Sequence, residues 1–290
     1  MTKELVIRNM TRPEVDELIG WATREGWNPG LDDAECFWAT NPNAFTAAEL
    51  AGELIGSVAS TAYQDEFGFM GLFIVRPEFR GRGLGNTLWH ARCKRLLARL
   101  RPGASIGLDG ALEMQDYYTK GGFVFSHRNF RFRAELPERT VPPTVDSEDI
   151  VPLAEIPFAQ VLDYDRACFP ALRATFLQGW LSQPHTAAFG CRRAGSLSGY
   201  GVVRRCGQGY KIGPLFADDI QAAQALYASL AKSAVGGPLF LDAPENNPTA
   251  LELVHRHRMV EVFGCSRMYL GPAPTIAHQR IFGITTIEFG

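Results

Sequence analysis

The chain has 290 residues, with 29 Lys and Arg against 31 Asp and Glu and a net charge of −2. That length suits two domains, and 46% hydrophobic residues can fill their cores. The mixed, near-neutral charge excludes a nucleic-acid-binding signature, and no apolar run approaches membrane-spanning length. The start, Met1-Thr2-Lys3-Glu4-Leu5, carries no signal-peptide stretch, so a cytoplasmic location is expected. The six cysteines (Cys36, Cys93, Cys168, Cys191, Cys206 and Cys265) form no C-x-x-C pair, so no metal site or disulfide framework is expected.

In chain order, Leu5-Val6-Ile7-Arg8 reads as a short strand. Thr11 caps a helix with Pro13 in its first turn, and Val15, Leu18, Ile19 and Ala22 recur at helical spacing. The loop Trp27-Asn28-Pro29-Gly30-Leu31-Asp32-Asp33 follows, where Asp33 suits either a helix cap or a ligand contact. Residues 44–60 hold two extended runs around Ala51-Gly52, a hairpin pattern. Leu72-Phe73-Ile74-Val75 is an apolar strand that runs into Arg80-Gly81-Arg82-Gly83-Leu84-Gly85. The next helix places Trp89, Cys93, Leu96 and Leu100 on one stripe. Its basic residues, Arg92, Lys94, Arg95, Arg99 and Arg101, read chiefly as a solvated face. A strand at Ser105–Asp109, a helix end at Tyr117-Tyr118-Thr119-Lys120 and a strand from Gly122-Phe123 to Arg131-Phe132 close the first half.

The polar, Pro-rich stretch 137–149, with Pro142-Pro143 at its centre, reads as a linker. Beyond it the plan repeats. Ile150–Leu153 echoes the first strand, and Ala188–Val203 echoes the hairpin around Ala194-Gly195. Leu239-Phe240-Leu241-Asp242 echoes Ser105–Asp109. Met259 to Arg267 spans the same interval as Phe123 to Arg131. Hairpins mixed with strand–helix crossovers make the fold class α+β (mixed α/β). The expected domains are 1–136, a linker at 137–149, and 150–290.

A strand, a glycine-rich turn and a helix point several backbone N–H groups at an anion, and the helix dipole adds to the attraction. The spacing is not that of a P-loop, which ends in Gly-Lys-Ser/Thr, nor of a dinucleotide fingerprint. The run Val75-Arg76-Pro77-Glu78-Phe79-Arg80-Gly81-Arg82-Gly83-Leu84-Gly85 resembles the coenzyme A-binding signature of the GNAT N-acetyltransferase superfamily, Gln/Arg-x-x-Gly-x-Gly/Ala, at Arg80, Gly83 and Gly85. That resemblance implies two tandem GNAT folds, each a mixed, mostly antiparallel twisted sheet flanked by helices. It also implies that Arg80 to Gly85 cradle the pyrophosphate of acetyl-CoA, and that the backbone of Phe73, Ile74 and Val75 pairs with the pantetheine arm.

The resemblance extends to Tyr117-Tyr118-Thr119-Lys120-Gly121-Gly122-Phe123, where Tyr118 takes the position of the family's thiol-protonating tyrosine. A phenol stays protonated at neutral pH and can donate to a departing sulfur. The base is left open among Asp65, Glu66, Asp109 and a water chain. Trp27, Asp33 and Phe37 lie where this fold forms its substrate rim, and Asp242 and Asn246 sit at a strand end where ligand groups are common. The second half has Ala217-Asp218-Asp219-Ile220 in place of the glycine turn and Val254 in place of Tyr118, so it is expected to bind no coenzyme A. It resembles the degenerate C-terminal domain of tandem GNAT proteins, expected to wall the acceptor pocket. Its tail is expected to return as an extra strand that locks the domains together.

The expected function is acetyl transfer from acetyl-CoA to the amine of a small molecule by direct attack in a ternary complex. No metal, nucleic acid or membrane is involved, and the chain acts as a monomer or homodimer. The alternatives are a non-catalytic acyl-CoA-binding sensor and a protein-lysine acetyltransferase.

Overall fold

A computed structural model describes residues 4–135 and 149–290. The expected linker lies outside the described residues except for Asp149. Among them, 13 strands join into one sheet.

The first half runs β1 (Leu5–Asn9), α1 (Arg12–Arg24), α2 (Asp33–Thr40), β2 (Phe45–Leu50), β3 (Glu53–Tyr63), β4 (Phe67–Val75), α3 (Leu84–Leu97), β5 (Ser105–Ala111), α4 (Gln115–Lys120) and β6 (Val124–Ala134). The second repeats that order as β7 (Ile150–Pro152), α5 (Phe158–Cys168), α6 (Ala174–Leu181), β8 (Thr186–Arg193), β9 (Ser196–Arg205), β10 (Tyr210–Ala217), α7 (Ile220–Ser233), β11 (Leu239–Pro244), α8 (Pro248–Arg256) and β12 (Val260–Leu270), then adds β13 (Ile281–Gly283).

Local chemistry explains the boundaries. Thr11 and Glu14 form a capping box at the start of α1, with a proline in the first turn. Both hairpins turn through two left-handed residues, Ala51-Gly52 and Ala194-Gly195, the geometry that matches strand twist. In the second half Asp219 caps α7 by accepting from the Ala222 N–H, and Asn247 caps α8.

The halves do not close on themselves. The strand order is β1-β2-β3-β4-β5-β12-β6-β11-β10-β9-β8-β7. The last strand of each half has crossed into the other, so β12 pairs with β5, β6 pairs with β11, and the two exchanged strands pair with each other at the centre. The repeat therefore becomes a pseudo-twofold, and two ion pairs mark it. Arg131 of β6 sits opposite Asp242 of β11 and binds it through Nε at 2.6 Å and Nη2 at 2.7 Å. Arg267 of β12 sits opposite Asp109 of β5 and binds it through Nε at 2.8 Å and Nη2 at 2.7 Å. All four side chains are buried.

The tail also crosses over. β13 pairs antiparallel with β10, and the Ile284 N–H donates to the Asp242 carbonyl of β11, so the segment fills the gap where β10 and β11 part. The chain then passes to the first half. Phe289 stacks on Phe37 at 4.0 Å and 3°, and Tyr63 Oη donates to the Phe289 carbonyl at 2.7 Å. Gly71 of β4 lies under this tail, where a Cβ would come 2.0 Å from the Glu288 carbonyl oxygen, so only glycine admits it.

Removing one member of a buried pair strands the other charge. Arg131→Met is expected to cost about 3–5 kcal/mol in urea unfolding, and the double change with Asp242→Leu is expected to recover most of that loss.

Candidate active site

β4 and β5 run parallel and pair only from Phe67/Ser105 to Met70/Leu108. At Leu72 the backbone is left-handed, with φ 50°, and beyond it β4 diverges from β5. The backbone of Phe73–Val75 thus has a strand partner on the β3 side and an open edge on the other. A cleft of about 640 Å³ occupies the divergence.

The cleft is lined by Phe73, Ile74, Val75, Arg80, Gly81, Gly83, Leu84 and Gly85, all singled out from sequence. Gly83 is the N-cap of α3 with φ 75°, and a Cβ there would meet nothing within 4 Å, so the turn leaves clear space for a ligand. α3 begins at Leu84, where the first amides of a helix lack an acceptor one turn back, and the Asn86 N–H closes on the Gly83 carbonyl at 3.1 Å. Arg80 is held across the cleft mouth, with Nε to the Val75 carbonyl at 2.7 Å and Nη2 to Glu25 at 2.5 Å. Arg82 is not part of the lining and lies over the Phe79 ring instead.

Tyr118 lines the cleft from α4, buried against Trp89 at 5.2 Å. Burial pushes its phenol up to about 12, with the opposing influence of Arg92. Arg92 itself departs from expectation. It falls on the inner stripe of α3 with Leu88, Trp89 and Leu96, is 1% exposed and lines the cleft. Its Nε and Nη1 have no partner among the described residues, and burial pulls the guanidinium's pKa down to about 9. A solvated basic face holds for other arginines of this segment but not for this one.

The acceptor-side expectations divide. The Trp27 side of its loop lines the cleft, while its carbonyl accepts from Arg131 Nη1 at 2.6 Å and Lys211 Nζ at 3.2 Å. The rest of that loop is a clasp on the second half. Asn28 exchanges two hydrogen bonds of 2.9 Å with Gln208, and the Leu31 N–H donates to the Arg205 carbonyl. Asp33, Phe37, Asp242 and Asn246 are not among the lining residues. Asp33 is fully buried, pairing with Arg204 and accepting from the Gly30 N–H at 2.8 Å. Phe37 is core beneath Phe289, and Asp242 is consumed by Arg131. Asn246 lies on the surface beside His278 at 3.2 Å.

The open question of a base narrows as well. Asp109 accepts from both Arg267 and Asn129, and Glu66 lies near Arg101 and Arg166, at 3.8 and 3.9 Å. Sequence reasoning passed over Glu288 and Ile287, which reach the cleft from the tail, and Phe263 and Cys265, which reach it on the exchanged strand β12. One signal for Glu288 was available, since it is the only charged residue in Ile281–Gly290.

The corresponding gap in the second half is closed. Leu215 and Phe216 stand where Phe73 and Ile74 stand in the first, and they pair with β13. Val254, the counterpart of Tyr118, is fully buried.

Comparison with known proteins agrees with this layout. Residues 12–123 match the acetyltransferase (GNAT) family and residues 161–283 match the acetyltransferase (GNAT) domain. The chain is 28% identical over 277 residues to the holothin acyltransferase of Pseudoalteromonas sp. (strain SANK 73390), covering 93% of this chain and 89% of that one. It is 32% identical over 109 residues to an acetyltransferase of Yersinia enterocolitica, covering 35% of this chain and 77% of the other. Among solved structures, a protein from Pyrococcus horikoshii superposes with a TM-score of 0.82 at 22% identity, covering 99% of this chain and 96% of that one. A tandem GNAT protein of the clavulanic acid biosynthesis pathway gives a TM-score of 0.64 at 12% identity, covering 93% and 100%. With two halves that each match the same family and share one mixed sheet, the chain belongs to the GNAT acetyltransferases and is an N-acetyltransferase built as a tandem repeat.

Proposed function

We propose that the chain transfers an acetyl group from acetyl-CoA to the amine of a small molecule by direct attack within a ternary complex. The observation that carries this reading is the open cleft between β4 and β5, whose counterpart in the second half is filled by β13. On this reading residues 1–136 hold the catalytic site, 137–149 link the halves, and 150–290 complete the acceptor side of the pocket.

The residues present suit acetyl-CoA. The turn at Arg80 to Gly85 offers clear space and helix-start amides for a pyrophosphate. The open edge of Phe73–Val75 offers main-chain groups to the pantetheine arm. When bound, acetyl-CoA supplies an activated thioester carbonyl. Tyr118 keeps its proton at neutral pH and gives it to the departing sulfur. Arg92, beside Tyr118, offsets the negative charge that this step leaves on the phenol oxygen. That gives the fold a reason to carry a buried guanidinium that lies over the Trp89 ring with its Nε and Nη1 lacking hydrogen-bond partners, which is otherwise costly.

The acceptor side favours a small molecule over a protein. Trp27, Phe263, Cys265, Ile287 and Glu288 wall the cleft from the loop, the exchanged strand and the tail. Holothin, named for the Pseudoalteromonas relative, is the first acceptor to test here.

Calorimetric titration is expected to show acetyl-CoA binding to the wild type and none to Gly83→Glu, which sets a carboxylate in the cradle. Binding without thiol release to any amine would favour the sensor, and no binding to folded wild type would end the acetyl-CoA reading. Tyr118→Phe is expected to bind acetyl-CoA normally and release thiol about 10²–10⁴-fold more slowly. Arg92→Met is expected to lower kcat at unchanged acetyl-CoA affinity. It removes an unpaired buried charge, so its thermal midpoint should rise, by about 2–4 °C for each kcal/mol gained.

A further inference from the structure

We infer that Glu288, delivered to the cleft by the tail of the second half, is the group that receives the acceptor's amine and takes its proton. This inference rests on the acetyl-transfer reading above.

Besides Glu288, three carboxylates line the cleft. Glu25 is held by Arg80 at the mouth at 2.5 Å. Asp109 accepts from Arg267 and Asn129. Glu113 is exposed just before α4, on the side of Tyr118. Glu288 differs from all three. It is 2% exposed, and its Oε1 has no hydrogen-bond partner among the described residues. Its other oxygen accepts from the Thr286 hydroxyl, and its own N–H donates back to Thr286 Oγ1 at 3.3 Å, so the side chain is held by a local turn. A buried carboxylate oxygen left without a donor is costly, and a fold that tolerates this at a cleft wall is one prepared for a donor that arrives with the ligand.

The surrounding charges support the same choice. The cations that act on this region are Arg131 from β6, Arg204 from β9 and Lys211 from β10, each influenced by Glu288. Arg131 is matched on two nitrogens by Asp242, and Arg204 meets Asp33 through Nη1, its Nε and Nη2 having no partner among the described residues. Lys211 donates to the Trp27 carbonyl, and burial together with Arg131 holds its pKa below the ordinary lysine value. Glu288 is therefore the carboxylate in this cluster that no guanidinium claims. On the β12 wall, Cys265 is held protonated by burial and does not compete as a base.

The Glu288 carbonyl packs on Gly71, next to the left-handed Leu72 where β4 leaves β5. Glu288 so placed lines the same cleft as Arg92 and Tyr118. The ligand class is a primary or secondary amine that arrives as an ammonium ion. In the step, the ammonium first gives one proton to Glu288, which passes it to solvent. The neutral amine nitrogen then forms a C–N bond with the thioester carbonyl carbon as the C–S bond breaks, its second proton passes to Glu288 and on to solvent, and the departing thiolate takes a proton from Tyr118, which recovers one from solvent, so that one proton is released in all.

The test compares wild type, Glu288→Gln and Glu288→Asp. Each is titrated calorimetrically with acetyl-CoA, melted thermally, and assayed for thiol release across pH with holothin, benzylamine and glycinamide as acceptors. Glu288→Gln keeps the shape and the Thr286 contact but cannot take a proton. It is expected to bind acetyl-CoA within about twofold of wild type and to lose kcat/KM by about 10²–10⁴-fold, with the remaining rate following the fraction of each acceptor that is already deprotonated. Glu288→Asp is expected to keep a rate at least about tenfold above that of the Gln variant. A Gln variant within about threefold of wild type overturns the assignment while leaving acetyl transfer standing. Loss of acetyl-CoA binding or of folding in Gln, with Asp giving wild-type rates, assigns Glu288 to the fold and also overturns it. Wild type that binds acetyl-CoA but releases no thiol to any of the three amines overturns the transfer reading itself, and the role of Glu288 falls with it.

Discussion

Two buried arginine–aspartate pairs hold this molecule together, and each joins one half of the repeat to the other. Arg131–Asp242 and Arg267–Asp109 occupy equivalent places, on strands that have changed sides. A buried guanidinium tolerates little freedom, because an unmatched charge in the interior is far costlier than an unmatched methyl. The bidentate geometry fixes both spacing and direction. It therefore selects the register in which β6 lies on β11 and β12 lies on β5, and it disfavours a one-residue slip that would turn each arginine to the other face. With the register set, the central β6–β12 pairing, the clasp at Trp27–Asp33 and the course of the tail all follow.

The exchange also explains how two similar halves come to differ in use. Both central strands part from their parallel neighbours after a short run of pairing. In the second half the gap is taken by β13, which satisfies the edge of β10 with the chain's own backbone. In the first half the tail stops short of the edge, packing on Gly71 and Phe37 and leaving Phe73–Val75 open. A gene duplication read only as repetition suggests two equivalent clefts, whereas residues 281–283 pair with β10 at the corresponding place in the second half. The second half lends β12 and the tail to the lining of the cleft in the first.

The cleft so formed is polarised. One wall carries Tyr118 and the unpartnered Arg92, and the tail adds Glu288 with its unpartnered oxygen. Each is a buried charge or proton donor whose isolation makes little sense for stability and more for a reaction that moves a proton off nitrogen and puts negative charge on sulfur. Elsewhere in the interior Arg173 is matched on two nitrogens by Asp165, and Trp180 Nε1 donates to the Gly213 carbonyl.

Local sequence determined a good deal by itself. The hairpins, the caps and the glycine turn depend on neighbours a few residues apart, so their chemistry is complete in the text of the chain. The same holds for the duplication, since equal intervals such as Phe123–Arg131 and Met259–Arg267 need no folding to be seen. The loss of the glycine turn and of the tyrosine from the second half was equally visible. Tertiary structure alone decided where the last strands went, because pairing β6 with β5 or with β11 uses the same pattern of alternating residues. That choice turned Asp242 and Asp33 from apparent ligand groups into structural counterions, and buried Phe37 under the tail. It also brought Glu288 and Cys265 to a cleft far from them in sequence. A carboxylate acts as a counterion or as a site according to which charges long-range packing sets beside it, and spacing along the chain does not record that.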